Sequence, residues 1–154
     1  MSAPTIDDAL VAALARPAVA EAAGHAGIAY GLAGRLATLA RARLRGRAVL
    51  SSDMLAAHGL NRHSMFVGER LHELVRAVSD ACDFTIDHLD RAEASLTAAS
   101  VAVRPVFLPL VAVRPLVRRI RAAGERLARE PVLLPHLDLL VRITWRAIRS
   151  PGAV

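Results

Sequence analysis

The chain has 154 residues, which is enough for one domain with a buried core, and 54% of them are hydrophobic while only 3% are aromatic. All 20 basic residues are arginine, and with 14 acidic residues they give a formal net charge of +6. The single cysteine excludes a disulfide within the chain and a zinc cluster built on cysteines. We expect no nucleic acid partner, because the arginines are spread over several segments and few aromatic residues accompany them.

The location that the sequence favours is the bacterial cytoplasm. Exclusive use of arginine is typical of a GC-rich bacterial genome, and the N-terminus lacks the basic region of a secretory signal. Two apolar segments, 101–117 and 133–148, are interrupted by charged residues, so we expect neither to span a membrane. The positive charge fits an acidic protein or an anionic membrane surface, so a peripheral position on the inner membrane stays open.

The predicted fold class is all-α, because the apolar residues are mainly Ala, Leu and Val and no segment has a strand pattern. Pro17 suits a first helical turn, while Gly46, Gly59 and Gly124 follow predicted helix ends. No linker or repeat divides the chain, so residues 1–154 are expected to form a single domain. The predicted helices cover, in chain order, 6–15, 18–44, 54–58, 69–96, a segment from 104, 115–123 and 131–149.

The second predicted helix carries glycines on one face. Gly27, Gly31 and Gly34 share that face at about 100° per residue, and each costs up to about 1 kcal/mol of helix stability relative to alanine. A helix tolerates this cost where a second backbone comes close, so close helix–helix packing is the plain interpretation. The functional interpretation is a smooth pocket wall, completed by Tyr30, for a prenyl or other lipid chain.

Four arginines, Arg41, Arg43, Arg45 and Arg47, are concentrated where this helix ends. Positive side chains at a helix C-terminus complement the helix dipole, which is the structural interpretation. Guanidinium groups also bind phosphate and diphosphate groups. Arg41, Arg45 and Arg47 are therefore candidate ligands for an anion.

The predicted helix over 69–96 has an acidic face opposite an apolar face. Carboxylates three and four residues apart can share a divalent metal, but the apolar face must turn to the core, which leaves the acids in water. We expect a solvated face, with a docking surface for a basic partner as an alternative, and a second basic run over 114–121 is also expected to be solvated. The acids are Glu69, Glu73, Asp80, Asp83, Asp87 and Asp90, and the apolar face carries Leu71, Leu74, Val78, Cys82, Thr85, Leu89 and Leu96.

The remaining residues predict no catalytic group and no metal site. The six histidines form no cluster in the sequence, no serine has a nucleophile-elbow frame, and no phosphate-loop or dinucleotide motif is present. Cys82, on an apolar face, is expected to be a small buried hydrophobe. Trp145 lies between Arg142 and Arg146 in the last predicted helix, where we expect it to be half-buried.

Five short segments spaced along 25–149 occur in an order that is typical of a known family. They are Ala26-Gly27, Tyr30-Gly31-Leu32, Arg45-Gly46-Arg47 with Leu50, Pro105-Val106-Phe107-Leu108, and a closing Trp145-Arg146. In these segments the chain resembles the squalene/phytoene synthases. The resemblance implies a helical bundle similar to the C-terminal half of the trans-isoprenyl diphosphate synthase fold. It is closest to a divergent branch that includes the mitochondrial complex I assembly factor of phytoene-synthase-like type.

Two departures from the family pattern concern its chemistry. The resemblance implies magnesium ions held by carboxylates on two facing helices, where they would stabilise the departing diphosphate. Where the second set of aspartates is expected, this chain has Thr38, Leu39, Ala40, Arg41 and Ala42. The N-terminal half of the family fold has no counterpart, so we expect either a fragment or a shortened protein that completes its bundle with a partner.

The favoured hypothesis is a non-catalytic family member without metal or other cofactor, which acts as an assembly or chaperone-like factor for a membrane respiratory complex. Its partner would be a subunit of that complex. The alternative is part of an isoprenoid synthase, a prenyltransferase that condenses prenyl diphosphates with Mg²⁺ once a missing N-terminal half or partner is present. A helical interaction module with only a general resemblance is the third hypothesis.

Overall fold

The structure is a computed structural model that describes residues 16–68, 70–97, 99 and 101–149. Every regular element within these ranges is a helix, which confirms the predicted all-α class. The helix predicted over 6–15 lies outside the described residues. The elements are α1 (Pro17–Ala37), α2 (Leu39–Leu44), α3 (Ser52–Ala56), α4 (Arg62–Val67), α5 (Leu71–Thr97), a first 3-10 helix (Val101–Ala112), α6 (Val113–Ala123), a second 3-10 helix (Gly124–Ala128) and α7 (His136–Arg149).

Helices α1 and α5 pack along each other and form the centre of the core. The buried positions of α1 recur every three or four residues and are mostly alanine, so methyl groups rather than long side chains lie in this interface. The predicted apolar face of α5 is confirmed, with Leu71 and Leu96 only partly buried at its ends. Buried alanines of α1 are Ala22, Ala26, Ala29, Ala33 and Ala37, and buried residues of the predicted α5 face are Leu74, Val78, Cys82, Thr85 and Leu89.

The helix predicted over 18–44 is divided in two at Thr38. The Thr38 hydroxyl donates to the carbonyl of Gly34 at 3.1 Å and lies 3.2 Å from the carbonyl of Arg35. The Thr38 backbone N–H donates to Arg35 O at 3.2 Å, a tighter closure than the helical one. A threonine hydroxyl that bonds back to the preceding turn competes with the regular ladder and bends the helix. The helix is therefore interrupted at Thr38, between α1 and the short helix α2.

Most of the predicted boundaries agree with the structure because they rest on local chemistry. Gly59 and Gly124 have φ values of +67° and +52°, which L side chains rarely adopt, and each follows the end of a helix as predicted. The Ser51 hydroxyl accepts from the N–H of Met54 at 3.2 Å and caps α3. Asn61 forms a reciprocal capping box at the start of α4.

The C-terminal third differs from the prediction in two places. The segment predicted to begin a helix at 104 is a 3-10 helix, because Pro105 and Pro109 lack the N–H that would bond four residues back. The last helix begins at His136 and not at 131. Residues 131–135 run across the end of α1, where the N–H of Val132 donates to Ala37 O at 2.8 Å. Among the helices described, none combines the length and the apolar character needed to cross a membrane.

Candidate functional site

A tight turn at the end of α2 presents the predicted arginine ligands. Gly46 has φ +64° and donates to Arg43 O at 3.0 Å, while the N–H of Arg47 donates to Ala42 O at 2.8 Å. These two bonds form the Schellman closure of a helix C-terminus, which needs a left-handed residue. Glycine at position 46 therefore reverses the chain and places Arg45 and Arg47 on either side of the turn.

The three predicted anion ligands line one open cavity of about 660 Å³. Arg41, Arg45 and Arg47 share this cavity with Arg35, from the last turn of α1, and with Arg62, the first residue of α4. No ion pair among the described residues involves any of these five arginines. Their positive charge is thus not neutralised by the described part of the chain, which favours binding of a multiply charged anion.

Two of these five residues, Arg35 and Arg62, were not predicted from the sequence. Arg35 lies ten positions before Arg45, and its side chain reaches the cavity while it donates to the carbonyl of Ala48 at 3.0 Å. Arg62 lies beyond a second short helix. At about 100° per residue, Arg35 would lie about 120° from Arg41 on a continuous helix, so helical phase did not suggest that it joins the others.

Arg43 does not belong to the basic cavity. Its guanidinium turns inward, where Nε donates to Met65 O at 2.7 Å, Nη1 to Ala128 O at 2.8 Å and Nη2 to Phe66 O at 3.2 Å. Burial lowers the pKa of Arg43, although the group stays charged at any physiological pH. This arginine joins α2 to the end of α4 and to the second 3-10 helix, so its role is structural.

Four acids of the predicted face, Asp80, Asp83, Asp87 and Asp90, are exposed as predicted, and most of them pair with the chain's own basic residues. Glu73 is half-buried and pairs with Arg70, and Glu69 lies outside the described residues. Arg114 of α6 bonds to Asp90 and, at 2.7 Å, to Glu93. Arg121, also of α6, bonds to Asp83. The arginines of the second basic run are exposed, as expected, and two of them also pair with acids of α5.

No group of three or more acidic, histidine or cysteine residues in the described ranges is arranged to hold a metal ion. His58 lies 2.8 Å from Asp80. This pair links the segment after α3 to α5, so Asp80 is another acid of α5 with a partner in the same chain. The described acids of α5 therefore do not form a carboxylate cluster in place of the aspartates that the resemblance implies at 38–42.

A histidine pair, which the sequence did not predict, connects α1 to α5. The Nδ1 atoms of His25 and His88 lie 2.8 Å apart, within hydrogen-bond distance. Phe84 packs on His88 with ring centroids 4.5 Å apart. Burial, helped by His25 and Arg91 and opposed by Asp87, lowers the pKa of His88. Nothing in the sequence indicates this pair, because it depends on how two distant helices align.

The glycine face of α1 is open. A Cβ placed on Gly27, Gly31 or Gly34 would meet no atom within 4 Å, and Tyr30 is 54% exposed. Close helix packing, the plain interpretation of these glycines, is wrong for the described residues, since the alanine face makes that contact. The four residues predicted as a pocket wall lie on an open surface. No other described element faces them to close a pocket.

Cys82 and Trp145 differ in how they match their predictions. Cys82 is fully buried, and burial raises the pKa of its thiol to about 11, which confirms a buried hydrophobe.

Trp145 was expected to be half-buried and is 57% exposed. It lies with Arg142 and Arg146 beside an open groove of about 1000 Å³ between α7, the first 3-10 helix and the end of α5.

Comparison with known protein families gives one result that covers most of the chain. The family model described as "Squalene/phytoene synthase" matches residues 7–146. The chain therefore belongs to the squalene/phytoene synthase family, which confirms the family inferred from the short segments and agrees with the all-helical fold. Comparisons with curated proteins and with solved structures gave no match.

Proposed function

We propose that this chain is a non-catalytic member of its family that binds other proteins, as an assembly or chaperone-like factor for a membrane respiratory complex. The observation that carries the proposal is Arg41 at the open basic cavity, in a segment where catalytic relatives would hold magnesium with aspartates. At about 4 Å and an effective dielectric constant near 20, a unit charge and a divalent cation of like sign repel by about 8 kcal/mol. Such a site disfavours the metal that ionisation of a prenyl diphosphate requires.

A binding role is supported by the surface that α1 leaves open. Its glycine face, with Ile28 and Tyr30 at 43% and 54% exposure, offers a smooth apolar surface to a partner helix. The choice of a respiratory complex rests on the resemblance to the assembly-factor branch. The predicted cytoplasmic location, on the inner face of the membrane, belongs to the same proposal.

The first experiment is a prenyl-transfer assay of the purified chain with Mg²⁺ and farnesyl or geranylgeranyl diphosphate. We expect no condensed product and no release of pyrophosphate above the enzyme-free control. A second experiment tests the role itself by affinity capture of the tagged chain from native membranes, with a Tyr30→Asp/Gly31→Asp variant as control. Respiratory subunits should be recovered with the wild type and lost with the variant, whereas measurable prenyl transfer would refute the proposal.

The basic cavity also favours a second candidate function. In this candidate, the chain is part of an isoprenoid synthase that a missing half or a partner completes. The five arginines of this cavity, which form no ion pair with other described residues, make a surface suited to a diphosphate. Calorimetric titration with inorganic pyrophosphate tests this candidate. Binding that falls at least about tenfold in Arg45→Ala, and not in Arg76→Ala on α5, would support it. Equal affinity in both variants would remove its support.

A further inference from the structure

Helix α7 carries a stripe of large apolar side chains that are mostly exposed. Four of its large side chains are between 57% and 73% exposed. At about 100° per residue they fall within less than half of the helix circumference, and Thr144 lies among them. Half-buried Leu139 and Ile143 lie on the other side. The exposed residues are Leu140, Val141, Trp145 and Ile148.

Arginines border this stripe. Arg142 and Arg146 each follow a stripe residue by one position, which places them about 100° further round the helix. Arg142 bonds to Asp138 at 3.0 Å, and Asp138 is the only acidic residue of α7. Arg146 is exposed and takes part in no ion pair among the described residues. The border of the stripe is therefore positive.

The groove beneath α7 extends this positive border. Arg104, from the first 3-10 helix, lines it together with Arg146 and belongs to none of the ion pairs found in the described chain. Glu93, the acidic residue of the groove, is bonded to Arg114. Among the described residues that line the groove, no carboxylate is thus left to neutralise Arg104 and Arg146.

We propose that α7 docks this chain onto an anionic lipid surface, with the stripe among the acyl chains and the bordering arginines at the headgroups. A helix of 14 residues is about 21 Å long, shorter than a hydrocarbon core of about 30 Å, so it would lie in the plane of the interface. Tryptophan and arginine are the side chains that suit the boundary between acyl chains and headgroups.

Charge favours a lipid surface over a second copy of this chain. Pairing of two α7 stripes about a twofold axis would bring the same patch of both copies together, and with it the positive borders. The only acid of the helix is already bonded to Arg142. An anionic headgroup layer, in contrast, attracts each basic residue near it. This inference goes beyond the proposed function and holds whether the chain acts on a protein or on a diphosphate.

The test is co-sedimentation of the full chain with phosphatidylcholine vesicles, with and without phosphatidylglycerol. Trp145 is the only tryptophan, so its emission reports on α7 alone. We expect binding that depends on phosphatidylglycerol, with a blue shift of the emission. Leu140→Ser/Ile148→Ser should weaken partition at least about tenfold, since two apolar side chains would no longer be buried. Arg146→Glu should weaken it by a similar factor.

Matched controls change residues of the same kind elsewhere. Leu44→Ser/Val67→Ser removes two exposed apolar side chains from α2 and α4, and Arg76→Glu reverses a charge on α5. Circular dichroism should show that all variants keep the wild-type helix content, because every changed residue is exposed. Absence of vesicle binding, or equal loss in the controls, would overturn the inference. A dimer in light scattering that only Leu140→Ser/Ile148→Ser dissociates would overturn it too, because the occupant would then be a second copy. None of these results bears on the prenyl-transfer and capture experiments.

Discussion

At the scale of single residues, four neighbouring arginines of one short segment do two different things. Arg41, Arg45 and Arg47 remain at the surface and define a basic cavity, while Arg43 is turned inward onto three carbonyl groups. A guanidinium has donors in a fixed planar fork, so one side chain can satisfy carbonyls of separate elements at once. The direction of each side chain, and not its type, decides its role here.

Replacement of Arg43 by methionine should destabilise the fold by about 2–4 kcal/mol, because charge-assisted bonds are lost and carbonyls are left without partners. Arg41→Met, two positions away on the exposed side, should change stability by no more than about 0.5 kcal/mol. Urea unfolding followed by circular dichroism measures both variants. Equal effects at the two positions would contradict the structural role assigned to Arg43.

The His25–His88 pair should make stability depend on pH. Because the pKa of His88 is lowered in the folded chain, the unfolded chain binds more protons as pH falls. The contribution is fully present above the unfolded pKa of about 6.5 and is lost as pH falls through and below that value. We expect the melting temperature to drop between neutral pH and pH of about 5, and to drop less in His88→Gln. A slope unchanged by the substitution would contradict this expectation.

At the scale of elements, α1 has two small-residue faces with opposite environments. Ala29 lies on the buried face against the core, while Gly31 lies on the open face. The same helix therefore needs small side chains on one side only, as far as the described residues show. A partner that packs closely on the glycine face would explain why small residues are found there.

Substitutions on the two faces of α1 should have opposite signs. Gly31→Ala is expected to stabilise the isolated chain by about 0.5–1 kcal/mol, because it removes backbone freedom without meeting any atom. Ala29→Leu should destabilise by about 1–3 kcal/mol through overpacking. Denaturant titration measures both. A destabilising Gly31→Ala would show that the open face is closed in the isolated chain.

At the scale of the whole molecule, the core is built around α1, α5 and α6, and the described part of α7 adds no residue to it. Segments with few buried apolar contacts open with small free energies. Amide protons of α7 should therefore exchange at least about ten times faster than those buried between α1 and α5. Hydrogen exchange followed by mass spectrometry measures this difference. Protection of α7 equal to that of α5 would mean that its stripe is covered in solution.

The same measurement with anionic vesicles present should slow exchange in α7 while α5 stays unchanged. This follows because docking would add contacts to one helix and leave the core as it is. Slowing that is uniform over the chain would instead indicate a general effect of the vesicles. Comparison of exchange with and without vesicles therefore tests whether α7 is the helix that contacts the lipid.

The sequence by itself determined the helical class, most helix boundaries, the buried face of α5 and the environment of Cys82. These features depend on local backbone preferences and on hydrophobic periodicity, both of which are properties of neighbouring residues. The family could also be inferred from the sequence, because its short segments occur in the order typical of that family.

The tertiary structure alone decided the pairing of His25 with His88, which are 63 positions apart, and the inward turn of Arg43 to a carbonyl 85 positions away. It likewise decided that α6 neutralises part of the acidic face of α5 and that the glycine face of α1 is open. Each of these depends on which helix packs against which and in what rotation. Side-chain periodicity identifies a face of a helix, but only the packing of the helices determines what that face meets.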